Sequence, residues 1–200
     1  MKNIEKHFNH QSSMYEKAIR CNFIWRTIKA KEKMAVLTLL SAQKNEHILD
    51  AGSGPGIYAE ILKNKGCQVI CVDVASSMID LVKQKGIVGR ISDVEDFSIQ
   101  QKFDKIICLG TLEFVRSPEK ALSNLAAHLK PGGFMVILVP MRSILGYSYK
   151  MMHYLHGISI RIFSQDGIRS LLYKTGFKID KMIEVSGLSC VIKIQPVQKS

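Results

Sequence analysis

His47-Ile48-Leu49-Asp50-Ala51-Gly52-Ser53-Gly54-Pro55-Gly56-Ile57 is the stretch from which the rest of the chain can be read. It begins as an apolar run, breaks into glycines spaced two apart, and resumes as a helical pattern. In that pattern Ile57, Ile61 and Leu62 are apolar, while Glu60 and Lys63 are polar. A buried strand, a tight turn and a helix N-terminus follow. Such a turn lets backbone approach a ligand closely and aims amide N–H groups and the positive end of the helix dipole at it. A dinucleotide-binding turn reads G-x-G-x-x-G, but here the third position of that pattern is Ile57, and the third glycine is Gly56. Pro55 has no N–H, so it suits a preset loop better than a row of donors for a pyrophosphate. A strand–turn–helix that needs glycine only for its bend is the plain structural alternative.

Downstream, apolar strand runs alternate with helical segments. Residues 68–73 form a second buried strand ending in Asp73, which stands 21 residues after Gly52. That is close to the interval of about 20 at which a carboxylate grips ribose hydroxyls; a helix cap or surface acid is the competing reading. Ser76-Ser77-Met78-Ile79 opens a helix to about residue 85, residues 87–91 form a short third strand, and residues 103–109 a fourth. Ser117-Pro118-Glu119 starts a helix with an N-cap, a proline and a first-turn acid. It runs to about residue 130, where Pro131-Gly132-Gly133 stops it, and residues 134–139 form a fifth, wholly apolar strand. Such alternation means an α/β protein with a parallel sheet covered on both faces. Its ligand crevice lies at the carboxyl ends of the strands, where Gly52, Asp73, Asp93 and Leu109 all fall.

The 200 residues suit a domain able to bury a core, and 46% hydrophobic with 22% charged residues is ordinary for a globular protein. No apolar run approaches a membrane span and the N-terminus lacks a signal-peptide core. The five cysteines have no paired spacing, which points to a reducing, cytoplasmic setting. The net charge of +11 is scattered, with no arginine-rich run, so no nucleic-acid partner is expected.

Residues 1–45 read as an N-terminal helical cap or lid. Ile28, Val36, Leu37, Leu39 and Leu40 supply an apolar face, and Phe8, Tyr15, Phe23 and Trp25 stand among His7, His10, Arg20 and Arg26. Residues 46–200 form the remaining domain, with an insertion at about 141–163. The insertion is rich in Tyr, Met and His and holds Lys150 and Arg161. It reads as a substrate wall and as a surface suited to peripheral contact with an anionic membrane. His153 and His156 are three apart, but no carboxylate or thiolate is spaced to complete a metal site, so none is expected.

The motif from Asp50 to Gly56, Asp73, Ser92-Asp93-Val94-Glu95-Asp96, Thr111-Leu112-Glu113-Phe114-Val115 and Leu129-Lys130-Pro131-Gly132-Gly133 together resemble the class I S-adenosylmethionine (SAM)-dependent methyltransferases. The resemblance is closest to the small-molecule branch that includes ubiquinone and menaquinone biosynthesis enzymes. It implies a Rossmann-like, seven-stranded, mostly parallel sheet whose last strand is antiparallel. It further implies a cofactor site in which Gly52 and Gly54 line SAM, Asp73 holds the ribose, Asp93 and Val94 meet the adenine with Met78 against it, and Leu109 lies near the methionine part. The expected activity is in-line methyl transfer to a small-molecule or lipid-like acceptor.

One position departs from that branch: relatives often have His after the Glu of the Leu-Glu-x-Val motif, whereas this chain has Phe114. If a general base is used, His153, His156, Tyr147 or Glu113 must supply it. The alternative from another class is a non-catalytic partner subunit that keeps the SAM pocket. An NAD-dependent oxidoreductase is disfavoured by Ile57 and by the lack of a catalytic acid–base set.

Overall fold

The computed structural model describes residues 23–197. The elements are α1 (Phe23–Leu40), β1 (His47–Ala51), α2 (Ile57–Asn64), β2 (Gln68–Asp73), α3 (Ser76–Gln84), β3 (Val88–Ile91), β4 (Phe103–Leu109), α4 (Pro118–Ala127), β5 (Leu129–Pro140), α5 (Ile144–Leu155), α6 (Gln165–Lys174), β6 (Phe177–Val185) and β7 (Ser189–Pro196). The seven strands lie in the order β3-β2-β1-β4-β5-β7-β6. β1, β2, β3, β4 and β5 pair in parallel, and β7 runs antiparallel to both of its neighbours. Strand order reverses between β1 and β4, which opens the crevice at their carboxyl ends.

Successive residues on each central strand point to opposite faces, and both faces are buried. Leu49, Ile106, Met135 and Ile137 pack toward α4 and α6 with Leu122, Leu125, Ile168 and Leu172. Ile48, Ile107, Val136 and Leu138 pack on the other face with Val36, Leu39 and Leu40 of α1, Ala59 and Leu62 of α2, and Val82 of α3. The apolar face read in the N-terminal segment therefore covers the sheet. Phe8, Tyr15, His7, His10 and Arg20 lie outside the described residues.

Ser117 caps α4 as its position before Pro118 suggests, accepting from Lys120 N at 3.2 Å, and Ser164 caps α6, accepting from Gly167 N at 3.0 Å. α4 ends at Ala127, sooner than the sequence reading placed it. The His128 ring takes over the chain there: Nδ1 meets Asn124 O at 2.7 Å and Nε2 accepts from Ile99 N at 3.2 Å. β5 consequently begins at Leu129, opposite Phe103, and carries Pro131-Gly132-Gly133 inside it at a register shift. The insertion at 141–163 folds as α5 followed by extended chain whose Ile158, Ile160 and Ile162 form a small core with Phe114 and Tyr149.

Candidate functional site

A cavity of about 530 Å³ opens at the carboxyl ends of β1, β2 and β4. The glycine turn forms its first wall, and its glycines serve different ends. Gly52 and Ser53 donate to Val72 O at 2.7 and 3.1 Å, which anchors the turn on β2. Gly52 has φ +73, and a Cβ there would sit 2.1 Å from Thr111 Oγ1, so Thr111 can close over the turn only because Gly52 has no side chain. Gly54 has φ +50 and open space where a Cβ would stand, leaving its backbone bare to the cavity. Its N–H donates to Asp73 Oδ2 at 2.8 Å.

Three acids occupy strand ends on this side. Asp73 Oδ1 accepts from Ala75 N at 2.9 Å, so both oxygens are fixed by backbone while lone pairs remain for a ligand. Burial holds its carboxyl above the ordinary range against these bonds. Asp50 is pushed up to about 7, first by burial and next by the charge of Asp73, and its Oδ2 has no hydrogen-bond partner among the described residues. Asp93 Oδ1 accepts from Glu95 N at 3.0 Å. Its Oδ2 is buried without a hydrogen bond among the described residues, the Arg116 guanidinium standing off at 3.9 Å. Val94 and Met78 are buried beside it on the cavity wall, and Leu109 lies across from them.

All seven residues expected to hold the nucleoside cofactor thus line one cavity. An open glycine backbone, a carboxylate fixed between two amides and an orphaned buried acceptor beside apolar side chains suit a ribose and an adenine with a free N6 amine.

The cavity continues past Leu109-Gly110-Thr111 to a second, aromatic end formed by Phe114 after β4 and Tyr149 and His153 on α5. The His153 ring meets Phe114 edge-on at 5.4 Å and Tyr149 at 4.6 Å, and Trp25 of α1 approaches Tyr149 at 6.2 Å. Glu113 stands here, 3% exposed. Burial raises its carboxyl to about 8, with Lys29 opposing and Glu32 adding to the rise. Of the possible bases, Glu113 and His153 line the cavity. Tyr147, 58% exposed, and His156, whose Nδ1 meets Met152 O at 2.7 Å, lie outside it. Burying one face of α5 leaves Ile144 and Leu155 87% and 75% exposed.

Sequence reading missed Glu32 and Ser189, which also line the cavity. Glu32 interrupts a run of lysines and reads as surface charge; its signal was that it is the sole acid of α1. Ser189 opens a strand and carries no motif.

A family described as a methyltransferase domain matches residues 25–182. The ubiquinone biosynthesis O-methyltransferase of Coxiella burnetii is 35% identical over 113 residues, 53% of this chain and 48% of its own length. The chain thus spans about half the length of the curated relatives it matches. Magnesium protoporphyrin IX methyltransferase from Synechocystis PCC 6803, solved with bound SAH, superposes at a TM-score of 0.76 with 19% identity, covering 96% of this chain and 97% of that one. The 1,6-didemethyltoxoflavin-N1-methyltransferase of Burkholderia thailandensis, solved with its namesake compound and S-adenosylhomocysteine (SAH), gives a TM-score of 0.75 at 17% identity over 98% of this chain and 88% of that one. Both structures share its Rossmann-like fold. With the family match running from α1 into β6, the chain belongs to the methyltransferase-domain family.

Proposed function

We propose that the protein is a SAM-dependent methyltransferase acting on a small-molecule or lipid-like acceptor. The observation that carries this reading is that one cavity joins the Gly52–Gly54, Asp73 and Asp93 cradle to an aromatic end made of Glu113, Phe114, Tyr149 and His153. In this reading Asp73 accepts the ribose hydroxyls, Asp93 Oδ2 accepts the adenine amine, and Val94 and Met78 flank the ring. The sulfonium supplies an already activated methyl carbon, whose bond electrons leave with sulfur as the acceptor's lone pair bonds to it.

The chain's own residues then have two tasks. Leu109, Gly110 and the aromatic end exclude water and align the acceptor. Glu113 takes the acceptor's proton: a carboxylate raised to about 8 is better matched to a weakly acidic O–H or N–H than an exposed glutamate is. The apolar exposed side of α5, in a stretch from 141 to 163 without an acid, supports a lipid-like acceptor met at a membrane surface. Among the described residues no helix is long and apolar enough to cross a membrane.

The test is SAH formation from SAM across a panel of small phenols, amines and prenylated phenols, with Glu113→Gln as control. Turnover falling by about a hundredfold in the variant is expected. SAM binding without turnover on any acceptor would favour a partner subunit that keeps the pocket.

A further inference from the structure

Between β3 and β4 the chain runs from Ser92 to Lys102 without a helix or strand, yet this stretch carries Asp93 and Val94 of the adenine end. A segment with no element of its own must be fixed from outside if its side chains are to hold a ligand in one place. Its internal bonds go part of the way: Asp96 N and Phe97 N donate to Asp93 O at 3.2 and 2.9 Å, which closes a turn on itself.

The outside hold comes from α4. Asn124 Nδ2 donates to Val94 O at 3.2 Å and to Phe97 O at 3.1 Å, so one side-chain amide commits both hydrogens to two carbonyls of the loop. Four residues on, and so on the same helix face, stands His128. Its Nε2 accepts from Ile99 N, its Nδ1 donates to Asn124 O, and its ring stacks on Phe97 with centroids 4.3 Å apart. Val94, Phe97 and Ile99 are buried in the core as well, but apolar burial is non-directional, whereas these hydrogen bonds fix where along α4 the loop sits. The polar grip takes only backbone atoms of the loop. Asp93 Oδ2 is thereby left at the cavity wall, buried and without a hydrogen bond among the described residues.

We propose that Asn124 and His128 are positioning residues for the cofactor, holding residues 93–99 in place so that Asp93 can read the adenine N6 amine. The inference rests on the methyltransferase reading and deepens it. Selection of the base depends on α4, although neither Asn124 nor His128 lines the cavity. Loosening the clamp therefore weakens recognition of the base, while Gly54 and Asp73, held by β1 and β2, keep their geometry.

SAH and S-inosylhomocysteine, which bears an oxo group where SAH bears the N6 amine, separate this role from a purely structural one. Both are titrated by calorimetry into the full chain as wild type, Asn124→Ala, His128→Phe and Leu172→Ala, and each melting temperature is read by circular dichroism. Phe keeps a ring to stack on Phe97 and drops both ring bonds. Leu172→Ala, in the core on α6, lowers stability while removing none of these bonds. Wild type is expected to prefer SAH by at least about tenfold, since a carboxylate accepts from the amine and repels the oxo group. Asn124→Ala and His128→Phe should each shrink that preference to about threefold or less, chiefly by weakening SAH, and Leu172→Ala should keep it. Asn124 is half-buried and alanine suits a helix, so Asn124→Ala decides the matter if His128→Phe does not fold. A preference that survives in Asn124→Ala, that is lost equally in Leu172→Ala, or that is absent from wild type overturns the clamp. Failure of wild type to bind either compound is a separate outcome, which removes the methyltransferase reading itself.

Discussion

Replacing Glu113 by Gln changes how the stability of the fold depends on pH, and the direction follows from burial. The carboxyl sits at about 8 in the folded chain against an ordinary 4.5. The folded state therefore holds this proton over a range in which the unfolded chain has released it. Stability from this group is fully present below about pH 4.5 and is lost as pH rises through about 8. At about 1.4 kcal/mol per pH unit, the loss between pH 4.5 and pH 7 is about 3 kcal/mol. Gln has nearly the same shape and does not titrate. The melting temperature of Glu113→Gln minus that of wild type should therefore climb with pH, and taking the difference cancels groups common to both, Asp50 among them. For a chain of this size each kcal/mol is worth about 2–4 °C, so the climb from about pH 5 to about pH 7, about 2.5 kcal/mol, is about 5–10 °C. Thermal unfolding followed by circular dichroism in ligand-free protein reads it. A difference that stays flat across this range would mean that Glu113 ionises as an exposed glutamate does, and the assignment of a proton-holding group to the acceptor end would fall.

Other substitutions separate the parts of the site. Asp73→Asn places an amide where Gly54 N–H and Ala75 N–H both need an acceptor, so SAH affinity should fall by about 10- to 100-fold with the fold intact; unchanged affinity by calorimetry would remove Asp73 from the ribose site. Gly52→Ala forces a Cβ to within 2.1 Å of Thr111 Oγ1 at φ +73 and should cost about 2 kcal/mol or more in chemical denaturation, with Thr111→Ala recovering part of the loss. Tyr154→Glu with Leu155→Glu, both on the exposed side of α5, should abolish co-sedimentation with phosphatidylglycerol vesicles while SAH affinity holds. Wild type that does not sediment with such vesicles would leave α5 without a membrane role.

The parts of the site built from local backbone were legible in the sequence. The glycine turn and Asp73 at a strand end follow from period, punctuation and spacing, because a parallel sheet brings strand ends to one edge whatever the side chains do; Asp93 was set apart from Glu95 and Asp96 only by the family resemblance. The start of α4 was equally plain, since its serine cap and first-turn proline act within four residues. The end of α4 was not, because His128 is fixed by Asn124 and by Ile99, the latter 29 residues away in sequence. Glu32 and Ser189 were hidden for a similar reason. Their hydrogen bond spans 157 residues, and neither shows a local pattern that separates a buried pair from surface polarity. The histidines of α5 shared a composition signal that did not sort them; burial of one helix face puts His153 in the cavity and leaves His156 outside.

The most direct measurement is calorimetric titration of the purified chain with SAH, with NADH as the control nucleotide. Saturable binding of one SAH per chain at about micromolar Kd is expected, with no heat above dilution from NADH. A folded protein that binds NADH, or that binds neither, would contradict the assignment of the Gly52–Asp73–Asp93 cavity to a methyl donor.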